Sequence, residues 1–180
     1  MPENLDFITP TFMIIFGLFL DDPMKEHHER EVIRETKVSK GSANKILRKL
    51  ADLEFLFRER KGRMIFYRLN TRDPLVRQFK VLTNVYRLKE LLTQMRQHSR
   101  RIVLFGSCSE GMDVKNSDID LFVLSSDKSL VSKIISDFNK IHDRKVAPIV
   151  ADANELARLR REDSPLYENI ERGIELWGME

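Results

Sequence analysis

Phe12, Ile15, Phe16 and Phe19 recur at i, i+3, i+4 and i+7, one face of a helix that Asp21-Asp22-Pro23 ends. Val32 and Ile33 mark the buried side of a short helix over about 28–36. "KVSKGSAN" reads as a turn. The next helix, about 42–53, turns Ile46, Leu47, Leu50 and Leu53 inward and shows Asn44, Lys45, Arg48, Lys49 and Asp52 to solvent. The period then changes. Residues 57–60 and 64–69 are rich in aromatic and β-branched side chains, with Lys61-Gly62 between them. That predicts two strands and a tight hairpin, for which Gly62 supplies a positive φ.

Asp73-Pro74 can open another helix, with proline in its first turn. Leu75, Phe79, Leu82 and Tyr86 mark one face, and the pattern runs to about Gln97. This long helix is expected to bridge two halves of the chain. Its surplus apolar residues, Val81, Val85, Leu88, Leu92 and Met95, suit packing on either half or across a homodimer. Beyond it come an apolar strand over 102–105, Gly106-Ser107, and a second apolar strand bearing Asp118 and Asp120. An amphipathic helix over 128–141 crosses to a strand over about 145–150. Leu166, Ile170, Ile174 and Trp177 form a last apolar face, expected in the core.

The chain has 180 residues, 42% hydrophobic and 33% charged, enough for one large or two small domains with real cores. No apolar run approaches the ~20 residues of a membrane helix. The run over 12–20 also lacks the basic leader and small-residue cleavage site of a signal peptide. A single cysteine, Cys108, excludes an internal disulfide and fits a reducing cytoplasm. His27, His28, His98 and His142 show no zinc spacing and read as surface or packing residues.

Net charge is +3 but unevenly placed. Residues 37–68 hold ten Lys/Arg against three Asp/Glu, and residues 99–127 hold three against five. Three helices followed by a basic hairpin is the order of a winged helix-turn-helix. In that reading Lys40, Ser42, Asn44, Lys45, Arg48 and Lys49 face DNA from the recognition helix, and Arg60, Lys61 and Arg63 reach phosphates from the wing. Such binding weakens steeply with salt, because each neutralised phosphate releases counterions. The alternative is that these charges only solvate a helix and a loop, in a module that docks proteins or dimerises. "VSKGSANKILRKLADLEFLFRERKGRMIFYRLN" resembles the winged-helix half of prokaryotic, especially archaeal, regulators. The resemblance implies DNA as a partner. Phe55 stands where such families often place a glycine.

The second half carries chemistry of its own. A strand feeding Gly106-Ser107 and a short helix offers free backbone N–H groups to an anion. Twelve residues after Gly106, Asp118 and Asp120 share one side of a strand, where two anions repel unless a cation lies between them. Mg²⁺ prefers such oxygen ligands and is often held by one or two carboxylates plus substrate phosphates. Gly106 and Ser107 are thus the candidate nucleotide-binding pair, and Asp118 and Asp120 the candidate metal and catalytic pair. The alternative is two strands with incidental polar residues.

"LFGSCSEG" and "SDIDLFV" resemble the nucleotidyltransferase domain of the DNA polymerase beta superfamily, in particular its minimal members. The resemblance covers about 100–180. It implies a mixed α/β domain, Mg²⁺ with a nucleoside triphosphate, and transfer of a nucleoside monophosphate to a hydroxyl. There are departures. Cys108 and Glu110 replace arginines common in minimal members. The third carboxylate expected on the later strand is not evident, since Ala147 or Pro148 takes its place and Asp143 and Asp152 flank the strand. Cys108 as a nucleophile lacks a histidine placed to assist it, which favours a small loop residue.

The expected fold is α+β: a winged helix-turn-helix over 1–73, a connecting helix over 74–98, and a mixed α/β nucleotidyltransferase-like domain over 99–180. The expected protein binds DNA and Mg-NTP and transfers a nucleoside monophosphate to a hydroxyl acceptor. The other reading is a transcriptional regulator whose second domain is catalytically degenerate and serves nucleotide sensing or dimerisation. No membrane segment is expected.

Overall fold

The computed structural model describes residues 5–179. Residues 1–4 and 180, the outer ends of the two expected domains, lie outside the described residues. The chain forms two compact units that divide between residues 77 and 78.

In the first unit, α1 (Pro10–Asp21) starts behind Thr9, whose hydroxyl accepts the Phe12 N–H at 3.2 Å. It buries Phe12, Ile15, Phe16, Phe19 and Leu20. A two-residue strand, β1 (His27–His28), then precedes α2 (Glu29–Thr36), so part of the predicted second helix is a strand. β1 is too short to leave a periodic signal. α3 (Lys40–Asp52) begins two residues earlier than its apolar spacing suggests, because the Ser39 hydroxyl caps it through the Ser42 N–H at 3.3 Å. Ala43, Leu47 and Leu50 are its buried residues, while Ile46 and Leu53 are half-buried.

β2 (Leu56–Lys61) and β3 (Met64–Leu69) form the hairpin, and β1 adds to β3 in the order β1-β3-β2, all antiparallel. Lys61 pairs with Met64, so the two turn residues are Gly62, at φ 63°, and Arg63, not Lys61-Gly62. Before the hairpin the left-handed residue is Glu54, at φ 59°, while Phe55 is buried and stacks on Phe16 with centroids 5.5 Å apart.

The predicted bridge helix is broken. α4 (Pro74–Arg87) and α5 (Lys89–Met95) meet at Leu88, and a 3-10 turn follows over Arg96–His98. Its predicted apolar face is largely outside: Leu75, Leu82 and Tyr86 are exposed. The buried positions are Val76, Lys80, Asn84 and Leu88, one every four residues. Two of them are polar, which hid this face from a hydrophobicity count.

The second unit is a four-stranded sheet ordered β6-β5-β4-β7. β4 (Arg101–Leu104) lies antiparallel to β5 (Ile119–Leu124) and to β7 (Ile174–Gly178), and β5 lies parallel to β6 (Val146–Ala151). The parallel pair is joined through α7 (Lys128–Ile141). One face of the sheet buries Ile102, Leu104, Ile119, Leu121 and Val123 with Leu91, Met95, Val131 and Ile135. The other buries Val103, Phe105 and Phe122 with Ile170 and half-buried residues of α8 (Ala153–Glu162) and α9 (Ser164–Glu171). Two covered faces explain the nearly unbroken apolar run of β5. The expected face of Leu166, Ile170, Ile174 and Trp177 is divided, because α9 ends at Glu171 and Trp177 belongs to β7. Trp177 is half-buried, and its indole N–H donates to the Ser99 carbonyl at 3.1 Å. Among the described residues no helix is long and apolar enough to cross a membrane.

Candidate functional site

β4 runs out of the core into Gly106, which sits at φ 65° and ψ −156°. A Cβ there would lie 2.5 Å from Oδ2 of Asp120. The left-handed φ and the missing side chain are thus both needed, and the Gly-Ser turn packs directly on the second aspartate. The sheet causes this meeting. Asp120 is the second residue of β5, beside the end of antiparallel β4, and the Phe105 N–H donates to its carbonyl at 3.1 Å.

Asp120 is half-buried and Asp118, just before β5, is exposed. Only Asp120 lies within the strand, where both were expected. Burial raises the Asp120 pKa above its ordinary value, and the neighbouring Asp118 charge adds to the shift. The two acids therefore feel each other, as a shared cation site requires. The donor set is oxygen only, and no side chain intervenes between Gly106 and Asp120. These residues fit a hard divalent cation beside a phosphate.

Ser107 opens α6 (Ser107–Glu110), a four-residue helix whose first N–H groups have no acceptor within it. So short a helix has little dipole, and the individual N–H groups matter more. The Ser109 hydroxyl donates to the Gly106 carbonyl at 2.7 Å and fastens the turn. Gly111, at φ 67°, ends it.

A buried ionic network lies under the loop that joins this turn to Asp118. Asp113, 4% exposed, accepts from Asn84 Nδ2 at 2.9 Å and pairs with the Arg144 guanidinium at 2.7 Å and the Lys80 ammonium at 3.5 Å. Lys80 also donates to the Asp113 carbonyl. Arg144 reaches the Ser117 carbonyl at 2.9 Å, Asn84 Oδ1 at 3.0 Å and the Cys108 sulfur at 3.1 Å. Asn84 donates to the Cys108 carbonyl at 3.0 Å. Burial lowers the Lys80 pKa, and Asp113 opposes the shift. Sequence reasoning passed over all four residues. The available signal was Lys80 and Asn84 at i, i+4, in line with the apolar Val76 and Leu88.

Cys108 is part of this scaffold. Burial pushes its thiol up to about 11, against the pull of Arg144. It donates to the Asp118 carbonyl at 3.4 Å. A thiol so protonated is a packing residue, held in α6 rather than in the expected loop.

The register locates the departure in β6. Asp120 pairs with Ala147, and Pro148 pairs with Leu121. Parallel neighbours share a face, so Ala147 is the β6 residue beside the acids. Asp143 is exposed ahead of β6. Asp152 is the N-cap of α8 and accepts the Asn154 and Glu155 N–H groups, each at 2.9 Å.

In the first unit Lys40, Ser42, Lys45, Arg48 and Lys49 are exposed along α3, and Arg60, Lys61 and Arg63 are exposed on the hairpin. Asn44 differs from the expectation. It is half-buried, and its Oδ1 is covered with no hydrogen-bond partner among the described residues. Lys61 is partly committed elsewhere, to Glu26 at 2.5 Å and over the Phe66 ring at 5.1 Å. Arg60 Nε donates to the Gly62 carbonyl at 3.1 Å.

Three solved structures are similar over part of the chain. A toxin–antitoxin with AMP-PNP is 27% identical over 54% of this chain and 75% of that one, with a TM-score of 0.40. A mutant of the toxin–antitoxin MntA-HpeT is 24% identical over 53% and 74%, with a TM-score of 0.39. TrmBL2, an archaeal chromatin protein, is 15% identical over 92% and 70%, with a TM-score of 0.34. No curated protein matches the chain. Residues 85–172, within the second unit, match the family model of the nucleotidyltransferase domain.

Proposed function

We propose that the protein binds a nucleoside triphosphate with Mg²⁺ at Gly106, Ser107, Asp118 and Asp120, and binds DNA through α3 and the β2–β3 hairpin. The observation that carries the nucleotide reading is the contact of the Gly106 backbone with the Asp120 carboxylate, beside a second acid. Gly106 leaves room for the Asp120 carboxylate against the main chain, which brings the proposed metal ligand beside the proposed phosphate turn. The Ser107 hydroxyl and the first N–H groups of α6 donate to its oxygens. Asp118 and Asp120 hold Mg²⁺, which supplies charge neutralisation at the phosphates when bound. In this arrangement an acceptor hydroxyl attacks the α-phosphate and pyrophosphate leaves, so a nucleoside monophosphate is transferred.

The amino-terminal reading rests on element order, helix–strand–helix–helix–hairpin, and on the exposed cations of α3 and the hairpin. That is the layout of a winged helix-turn-helix, which presents one helix to the major groove and a wing to phosphates. Asn44 is left out of the proposed contacts, because its side chain is partly covered.

A second reading is favoured by Ala147, the register partner of Asp120. With no carboxylate at that position to help activate the attacking hydroxyl, the domain binds nucleotide and reports it without efficient transfer, as in a regulator.

Titration with Mg-ATP and the other triphosphates tests the common part of both readings. Binding is expected in the wild type and is expected to fall at least tenfold in Asp118→Asn/Asp120→Asn. Equal binding by both proteins would sink the proposed site. Incorporation of an α-labelled nucleotide into the chain, nucleic acid or lysate proteins then separates transfer from sensing. Stability offers a pH check. The raised pKa of Asp120 means that its contribution is fully present below the unfolded value and lost as pH rises through the folded one. A cation reverses that loss, so Mg²⁺ should raise Tm more at pH 7 than at pH 4, and not in the double variant.

A further inference from the structure

Three side chains of the first unit converge without a role in either reading above. His27, Glu31 and Glu35 bring one imidazole nitrogen and two carboxylate oxygens within 4.8 Å of one another. Glu31 and Glu35 stand at i, i+4 on α2 and share a face, and β1 delivers His27 just before that helix. The His27 ring is 1% exposed and packs edge-on against Phe19, with centroids 5.1 Å apart. Neither of its ring nitrogens has a hydrogen-bond partner among the described residues. Nδ1 faces Glu31 Oε2 at 3.7 Å, too far for a hydrogen bond. A polar ring so deeply buried is rarely left unpaired, and this one is aimed at two acids.

The mouth of the cluster already attracts a cation. The Lys25 ammonium lies 2.9 Å from Glu31 Oε1 and 3.4 Å from Glu35 Oε1, and Arg34 approaches Glu35 at 3.9 Å. Lys25 satisfies the carboxylates and leaves the imidazole unused. We propose that His27 Nδ1, Glu31 and Glu35 form a site for a divalent first-row transition ion of the Zn²⁺ class, entered as Lys25 swings out. Imidazole with carboxylates suits such ions better than Mg²⁺, which takes oxygen alone. Three protein ligands leave a fourth position for water. Ligand atoms around a tetrahedral ion sit about 3.3 Å apart, so the group must close by roughly 1.5 Å at its widest. Glu35 is exposed and Lys25 lies at the surface, so that closure needs only side-chain rotation. The bound ion would tie β1 to the helix that leads into α3.

The test is titration of the full chain with Co²⁺ in excess Mg²⁺, read by visible absorption, with calorimetry on Zn²⁺ in parallel. One ion per chain is expected, with d–d bands of low coordination number. Glu35→Gln, a change at an exposed position, should weaken binding at least tenfold, and His27→Gln should abolish the bands. Should His27→Gln fail to fold, Glu35→Gln decides alone. Lys25→Ala should tighten binding several-fold by removing the competing ammonium. Asp118→Asn/Asp120→Asn should leave the Co²⁺ site intact, so this inference and the nucleotide reading fail separately. No Co²⁺ bound by the wild type, or binding unchanged in Glu35→Gln, would overturn the proposal.

Discussion

Lys45, Arg48 and Lys49 stand exposed on α3, whereas Lys80 in the second unit is 2% exposed and is held, with Arg144, against buried Asp113. The same residue types do opposite jobs. Exposed cations cost the fold little and remain open to a polyanion such as DNA. Buried cations have given up their water and hold only while their acid stays in place. In the second unit they hold the backbone that runs from Gly106 to Asp118, Lys80 through the Asp113 carbonyl and Arg144 through that of Ser117. Charge in one unit stays open to solvent. In the other it positions the backbone of the proposed site.

Removing the shared acid breaks this comparison most directly. Asp113→Ala leaves Lys80 and Arg144 without their counter-charge, holding only neutral hydrogen-bond acceptors, and is expected to cost about 3–5 kcal/mol, read by urea unfolding. A loss under about 1 kcal/mol would mean that water already screens the network. Gly106→Ala comes next. It pushes a methyl against Asp120 at a left-handed φ, with an expected cost of about 1–3 kcal/mol and loss of nucleotide binding. Full nucleotide affinity in that variant would show that the turn is not the phosphate site.

The exposed set should behave differently. Arg60→Ala/Arg63→Ala should leave stability within about 0.5 kcal/mol of the wild type. It should also lower the slope of log affinity for duplex DNA against log salt by about 2. Lys61 should matter less than either arginine, because Glu26 already holds it. An unchanged salt slope would return the hairpin charges to mere solvation. Glu54→Gly is expected to act on stability alone, by a small gain. The left-handed conformation suits glycine, so this change should stabilise the first unit by about 0.5–1 kcal/mol in thermal unfolding.

Much of the candidate site's geometry could be read from the chain. The apolar run ahead of Gly106 and the one around Asp118 and Asp120 placed turn and acids at the ends of two neighbouring strands, where antiparallel pairing brings them together. α1 was equally plain from its apolar period and its stop, and the hairpin from aromatic and β-branched side chains around a glycine, although its turn lies one residue later than expected. Other elements gave weak or false signals. β1 has only two residues. The apolar stripe of Leu75, Leu82 and Tyr86 reads as a core face, yet it is exposed. Trp177 continues a helical spacing across Gly173, where the chain leaves α9 for a strand.

The order of side chains alone determined where water-avoiding and charged residues alternate, and hence most helices, the hairpin, and the pairing of glycine with two acids. That information is local, carried by periods of two and about four residues and by a few turn-forming types. Which polar groups would be covered was decided only by the folded chain. Lys80 and Asn84 share a helix, but Asp113 and Arg144 are far from them in sequence, and each alone belongs at a surface. Burial becomes tolerable only when all of them arrive together, because a charge without water needs a partner within hydrogen-bonding reach.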